Sequence, residues 1–248
     1  MKILLSGAGG TMGKVVRQVV SEQGSDTIVA GFDKIEDTDA DFPIYADTAL
    51  ITEEADVLID FSHPTALSAV LAVAVSRRLP TVIAATGYSD ADLASIRLAS
   101  EQTAILQAGN FSLGITLLTT LVRQMAAALP GFDIEIIERH HNKKVDAPSG
   151  TALMLLQAAK AGAGRDLVSK YGRSGRDAKR SADEIGIHAV RGGTIVGEHD
   201  VVFAGIDEVI EIRHSAGSKK IFAVGALRAA NFLLGKAPGL YTLSDLFG

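Results

Sequence analysis

The sequence predicts an α/β protein in two parts: a doubly wound parallel sheet over the first hundred or so residues, then a second α+β domain with an open mixed sheet. Three observations carry this expectation. Short apolar runs alternate with helical stretches from Lys2 to Gln107, the pattern of successive βαβ units. A glycine-rich turn stands directly after the first run. From Ser112 the alternation stops, and a long apolar helical stretch gives way to β-rich runs joined by glycines.

The first strand is Lys2 to Ser6. Gly7-Ala8-Gly9-Gly10-Thr11-Met12-Gly13 follows it, and Val15, Val16, Val19 and Val20 then recur at helical spacing. Glycines at 7, 10 and 13 read GxxGxxG rather than the commoner GxGxxG, but the physical demand is the same. Backbone must come close to a pyrophosphate, and a helix N-terminus must accept its charge. Thr27 to Asp33 is an apolar strand ending in a carboxylate about 20 positions past the last of these glycines, where an acid bonds the hydroxyls of an adenine ribose. Together the loop and the acid predict a Rossmann-type dinucleotide site. Lys34, a cation beside that carboxylate, tolerates a 2′-phosphate, so either NADH or NADPH is expected as cofactor.

Val57 to Phe61, Pro80 to Ala85 and Thr103 to Gln107 supply the next strands, with helices over Thr65 to Arg78 and Asp90 to Glu101. Ligands of such sheets sit beyond the carboxyl ends of the strands. Gly7 to Gly13, Asp33, Phe61-Ser62-His63, Ala85-Thr86-Gly87 and Gly109-Asn110-Phe111 are therefore expected to line the cofactor. His63 precedes Pro64 at a helix start, where a polar residue serves a local purpose, and is not assigned to catalysis.

Composition narrows the function. A net charge of −5 argues against non-specific binding to nucleic acid or anionic lipid. The absence of cysteine excludes disulfides, thiolate zinc sites, iron–sulfur clusters and a cysteine nucleophile, and fits a reducing compartment. The apolar start is too short for a signal-peptide core, and Ala66 to Val75 falls well short of the ~20 residues that span a bilayer. The protein is read as cytoplasmic, with no membrane and no nucleic-acid partner.

A second domain is expected over 112–227, after a dinucleotide-binding domain over 1–111, with the segment from about 228 to 248 returning to the first. A helix runs from Ser112 to Leu129, and Asp133 to Arg139 alternates as a strand. Ile185 to Val190, Ile195 to Gly197, Val201 to Ala204 and Val209 to Arg213 read as further short strands, and Ser218 to Leu234 as a helix. Arg165 to Arg180, basic and without apolar periodicity, reads as an exposed loop.

The densest chemistry lies in Glu138-Arg139-His140-His141-Asn142-Lys143-Lys144-Val145-Asp146-Ala147-Pro148-Ser149-Gly150-Thr151. Two histidines and two lysines precede a helix-start signal, Ser149-Gly150-Thr151, ahead of Ala152 to Leu156. A helix starting there directs N–H groups at any anion near the lysines, so the phrase reads as an anion pocket containing an acid. On a strand, residues 140 and 141 point to opposite sides and do not chelate one metal together; with no HExxH or spaced carboxylates beside them, no metal is expected. The simplest reaction is hydride transfer to a C=C or C=N bond, with substrate carboxylates in the anion sites and a histidine or lysine delivering the proton.

ERHHNKKVDAPSGTA resembles the signature of the dihydrodipicolinate reductase family of lysine biosynthesis, E-x-H-H-x-x-K-x-D-x-P-S-G-T-A. The resemblance continues through GAGGTMG, DFSHP, AGNFSLG, RGGTIVGEH and IRHSAGSKKIFAVGALRAA, nearly the whole chain. It implies that His140 gives or takes the proton, with Lys144 a second proton-donating or carboxylate-binding group. His141, Gly150 and Thr151 would hold substrate carboxylates. Gly7, Ala8, Gly9, Gly10, Thr11, Met12, Asp33 and Lys34 would bind the adenine half of the cofactor. Ala84, Ala85 and Thr86, with Ala108, Gly109, Asn110 and Phe111, would bind its nicotinamide half. It also points to Arg228 in GALRAA. The implied reaction is NAD(P)H-dependent reduction of dihydrodipicolinate, or its hydrated precursor, to tetrahydrodipicolinate by a homotetramer built through the second domain. One departure is plain: Ala84-Ala85-Thr86-Gly87 stands where the family usually has Gly-Thr-Thr-Gly, which bears on cofactor affinity or preference. Another reductase of a small carboxylated imine would differ in the basic phrase. A non-enzymatic dinucleotide-binding protein would have lost the donors His140 and Lys144. A methyltransferase would lack the separate basic domain.

Overall fold

The computed structural model describes residues 1–34 and 39–247. They fall into two compact units, Met1–Leu113 with Lys219–Gly248, and Gly114–Ser218.

The first unit contains β1 (Lys2–Ser6), α1 (Thr11–Gln23), β2 (Thr27–Phe32), β3 (Ile44–Tyr45), β4 (Val57–Asp60), α2 (Leu67–Arg77), β5 (Thr81–Ile83), α3 (Asp90–Ser100) and β6 (Ala104–Gln107). The second unit takes nearly all of α4 (Leu113–Ala128), then β7 (Asp133–His140), α5 (Gly150–Ala163), β8 (Val168–Tyr171), β9 (Glu184–Arg191), β10 (Gly197–Ala204) and β11 (Val209–Ala216). The chain returns to the first unit with α6 (Lys220–Leu233) and β12 (Gly239–Tyr241).

The first sheet has the order β12-β6-β5-β4-β1-β2-β3 and every pairing in it is parallel. A parallel sheet covered on both faces needs strands that are apolar on both sides, and β1 and β4 bury Ile3, Leu4, Leu5, Val57, Leu58 and Ile59 completely or nearly so. Alternate residues go to alternate layers. Ile3, Leu5, Val57 and Ile59 pack with Val16 and Val19 of α1 and Ala226 and Ala230 of α6. Leu4 and Leu58 pack with Val70 and Val73 of α2, while Ile83 and Ile105 pack with Ile96 and Ala99 of α3.

The return comes at Lys219, earlier than the 228 expected from sequence. The reason is that α6 is one element with one buried stripe, Ala223, Ala226, Leu227, Ala230 and Leu233, and cannot be divided between two cores. Gly225 enforces its seating: a Cβ there would lie 1.7 Å from the Phe111 carbonyl oxygen. The edge strands β3 and β12 have too few residues to show a period and were not foreseen.

The second sheet has the order β11-β10-β7-β9-β8, with β10 antiparallel to both β11 and β7, and β9 parallel to both β7 and β8. Burial along β7 alternates strictly. Ile134 and Ile136 face the layer formed by α4 and α5, together with Ile185, Ile187, Val201 and Phe203. The two helices approach closely at Gly162, where a Cβ would stand 2.0 Å from the Arg123 carbonyl oxygen. Ile195 and Val196 lie in a turn rather than a strand, and β10 is one continuous strand from Gly197.

The reading of Arg165 to Arg180 as an exposed loop needs correction. Val168–Tyr171 is the edge strand β8, and Arg173 and Arg180 clamp Glu135 of β7 at 2.6 and 3.1 Å. Their partners are distant along the chain, so no local period reveals them.

Candidate active site

In the first unit, Gly7 has φ +75°, and a Cβ there would lie 2.8 Å from the Phe61 backbone. A Cβ on Gly13 would meet the Gly7 carbonyl oxygen at 2.1 Å. Only glycine permits this turn and this packing of α1 onto the strand end. Gly10 caps α1 without a side chain, which leaves the first turn of the helix uncovered toward an anion. The Gly9 N–H donates to Asp33 Oδ2 at 3.0 Å, so the acid at the end of β2 is tied to the glycine loop.

Ala84, Ala85 and Thr86 follow β5, and Ala108, Gly109 and Asn110 follow β6, so these loops share the carboxyl end of the sheet with Gly7 to Met12, Asp33 and Lys34. Phe111 differs: the residue is 2% exposed, and its ring packs 6.3 Å from the Phe61 ring, so it supports the loop from beneath. His63 caps a short 3-10 turn, its ring nitrogen accepting from the Thr65 N–H, a local role.

Asp60, not singled out in the sequence, is fully buried at the end of β4. Burial pushes its carboxyl up, against the hydrogen bond from Ser62. It accepts the Ser62 N–H at 3.0 Å and so anchors the Phe61–Ser62 backbone that lies against Gly7.

In the second unit the chemistry gathers where β7 ends. The pleat puts Glu138 and His140 on one face, the face toward α4 and α5. Glu138 is fully buried and His140 is 8% exposed. His140 Nδ1 lies 2.7 Å from Glu138 Oε2. Register sets Arg191 of β9 beside His140, and its guanidinium donates to both Glu138 oxygens at 2.7 and 2.8 Å. The Ser149 N–H, at the start of α5, donates to Glu138 Oε1 at 3.0 Å. Burial alone would raise the Glu138 carboxyl, but Arg191, then His140, then the Ser149 N–H hold it below the ordinary range.

His199 of β10 completes the cluster. Its ring meets the His140 ring edge-on at 5.2 Å, and its Nε2 lies 3.0 Å from Ser149 Oγ. Ser149 Oγ accepts the Ala152 N–H as the helix cap and shares a further hydrogen bond with His199 Nε2. Burial, followed by the neighbouring His140, lowers His199 to about 4, and it is neutral near pH 7.

Strand β7 stops at His140, so His141 belongs to the following loop and strand alternation does not govern it. Lys144 lies in the same loop, its Nζ 2.8 Å from Asp146 Oδ1 and its N–H bonded to the His141 carbonyl. Gly150 opens α5 with no heavy atom near its missing Cβ, and Thr151 follows it. His140, His141, Lys144, Gly150 and Thr151 thus stand on one short stretch of the second unit, and the cofactor candidates on the first. Glu138, Arg191 and His199 were missed. The signal for Glu138 was available, a carboxylate two residues before a histidine on an alternating strand; the other two depend on register. Among the described residues no group of three or more His, Cys, Asp or Glu stands close enough to hold a metal.

The family description "Dihydrodipicolinate reductase, N-terminus" matches residues 1–111, and "Dihydrodipicolinate reductase, C-terminus" matches 114–247. The chain belongs to the dihydrodipicolinate reductase family. Among its relatives, the 4-hydroxy-tetrahydrodipicolinate reductase of Caldanaerobacter subterraneus is 49% identical over 246 residues, spanning 99% of this chain and 98% of that protein. The enzyme of the same name from Clostridium novyi is 45% identical, spanning 99% and 97%. In fold, the chain is similar to the dipicolinate-bound dihydrodipicolinate reductase from Paenisporosarcina sp. TG-14, with a TM-score of 0.82 at 22% identity, covering 98% of this chain and 97% of that one. The family's C-terminal match runs on through α6 and β12, whereas in space those elements belong with the first unit of the reductase.

Proposed function

We propose that this reductase catalyses the NAD(P)H-dependent reduction of 4-hydroxy-tetrahydrodipicolinate to tetrahydrodipicolinate in the diaminopimelate route of lysine biosynthesis, with His140 delivering the proton. The observation that carries the residue assignment is the buried Glu138–His140 pair at the end of β7. Its Nδ1 is committed to the carboxylate, which leaves Nε2 as the nitrogen that faces chemistry. Gly197 keeps that nitrogen uncovered: a Cβ there would stand 3.0 Å from Nε2.

The first unit fits a dinucleotide, since the loop at Gly7 and Gly13 has no room for side chains and the helix start behind it is bare. Gly7 to Met12, Asp33 and Lys34 hold the adenine half, and Ala84 to Thr86 with Ala108 to Phe111 the nicotinamide half, of a cofactor that supplies the hydride. In the second unit, His141 and the Gly150-Thr151 helix start bind substrate carboxylates. Lys144 exchanges its pairing with Asp146 for a substrate carboxylate. Once the 4-hydroxyl has left as water, His140 gives its Nε2 proton to the carbon framework as the resulting double bond is reduced, and ends neutral with hydrogen on Nδ1.

The enzyme acts in the cytoplasm as a homotetramer built through the second unit. Supporting the latter, Val168, Val190 and Val209 are exposed on the sheet face that α4 and α5 do not cover. No helix among the described residues is long and apolar enough to cross a membrane.

The test follows NADH and NADPH oxidation separately with freshly made product of dihydrodipicolinate synthase. Consumption of at least one cofactor is expected, and consumption of neither overturns the assignment.

A further inference from the structure

We propose that Glu138 is a positioning residue for both halves of the substrate site: one carboxylate holds His140 in its proton-donating form and fixes the helix start that receives a substrate carboxylate. The inference rests on the reading of His140 as proton donor.

The two oxygens are divided between the two tasks. Oε2 stands 2.7 Å from His140 Nδ1, and Oε1 accepts the Ser149 N–H at 3.0 Å. A carboxylate beside one imidazole nitrogen keeps the hydrogen on that nitrogen and stabilises the imidazolium, so the opposite nitrogen is the one that donates and is regenerated. Arg191, bonded to both oxygens, keeps the carboxylate ionised while it does this.

The other groups facing His140 are consistent with one positive charge placed there. They are Arg191 from β9, His199 from β10 and Ser149 at the start of α5. Arg191 is paired with Glu138, and Lys144 in the following loop with Asp146. His199 is hydrogen-bonded to Ser149 Oγ through Nε2 and is neutral near pH 7, so it adds no charge beside His140. Because Ser149 also caps α5, the carboxylate, the proton donor and the Gly150-Thr151 helix start form one hydrogen-bonded unit. Displacing Glu138 therefore disturbs proton delivery and carboxylate binding together.

The experiment uses the full chain with Glu138→Gln and Glu138→Asp, dipicolinate as the binding probe, the pH profile of kcat, and 15N NMR of the His140 ring. In Glu138→Gln, kcat is expected to fall about 100-fold, as for loss of general acid catalysis. Dipicolinate is expected to bind about tenfold more weakly, a change of about 1.4 kcal/mol. The pH profile of kcat changes and the single Nδ1–H tautomer is lost, because an amide has no negative charge to hold that hydrogen. Glu138→Asp keeps the charge on a shorter arm, and is expected to keep the tautomer while losing about tenfold in either kcat or dipicolinate affinity.

Wild-type tautomer and pH profile in Glu138→Gln overturn the proposal, whatever happens to thermal stability. If Glu138→Gln does not fold, Glu138→Asp decides, and wild-type kcat and affinity in that variant overturn the proposal. The NMR readout needs no turnover. Full activity in His140→Gln would remove the donor reading while leaving the Glu138–His140 result standing.

Discussion

Strand β7 carries two glutamates three positions apart, Glu135 and Glu138, and each is held down by arginine, yet their surroundings differ. Glu135 faces the uncovered side of the sheet and is saturated. Arg173 binds it at 2.6 and 2.9 Å, His188 at 2.8 Å and Arg180 at 3.1 Å. Burial raises its carboxyl, but these partners, Arg173 foremost, bring it down to about 2. Glu138 faces the helices and is bound by Arg191, His140 and the Ser149 N–H, so each carboxylate has an imidazole among its partners. A depressed carboxylate therefore does not by itself mark a site. The difference is that Glu138 also accepts the N–H at the start of α5, whereas Glu135 is held by Arg173, Arg180 and His188 on the open face.

The largest expected effect breaks or keeps this contrast directly. His140→Gln should lower kcat by about 100-fold with KM changed severalfold at most, whereas Glu135→Gln should leave both within about twofold. Steady-state kinetics on the two variants decides it, and a comparable loss of turnover in Glu135→Gln would erase the distinction.

The two faces should also separate by pH. His199 lies on the helix side with a pKa lowered from 6.5 to about 4, so the unfolded chain binds its proton first. The stability it contributes is complete above about pH 6.5 and is lost as pH falls through about 4, by up to roughly 3 kcal/mol. In His199→Asn, whose amide still accepts from Ser149, chemical denaturation across that window should show a flatter decline. A slope identical to the wild type would place the proton uptake elsewhere.

A smaller effect is expected at more acid pH from the open face. Glu135 has a folded pKa near 2 against an ordinary 4.5, so its contribution is present above about pH 4.5 and lost as pH falls through 2. Discounted for partial exposure, this is roughly 2 kcal/mol. Thermal melts of Glu135→Gln should start from a lower Tm at neutral pH and change less between pH 4.5 and 2. An unaltered Tm at neutral pH would show that the clamp formed by Arg173 and Arg180 contributes nothing.

Legibility in the sequence followed distance along the chain. The glycine loop, Asp33 and the phrase from Glu138 to Thr151 are each compact, so spacing and residue type suffice to find them. Glu138 lay in plain view at the head of that phrase, since strand alternation pairs it with His140. Arg191 and His199 did not. They lie in glycine-joined strands whose partners are chosen by sheet register, and residues 53 and 50 positions from their contacts leave no local period. The same applies to Arg173 and Arg180, which look like a solvated loop until Glu135 and Glu184 are set beside them.

By itself the sequence determined the parallel first sheet, the dinucleotide loop with its strand-end acid, and the basic phrase with its helix start. Those features are set by short-range backbone chemistry: where glycine is needed, where an apolar face repeats and where a helix begins. Only the tertiary structure decided that α6 belongs wholly to the first unit and that His140 shares a buried carboxylate with Arg191 and Ser149. It also decided that, of two arginine-bound glutamates on β7, Glu138 is the one shared with the start of α5. The physical reason is that strand pairing brings together residues remote in sequence, and burial then makes each polar group's partners, rather than its type, decide what it does.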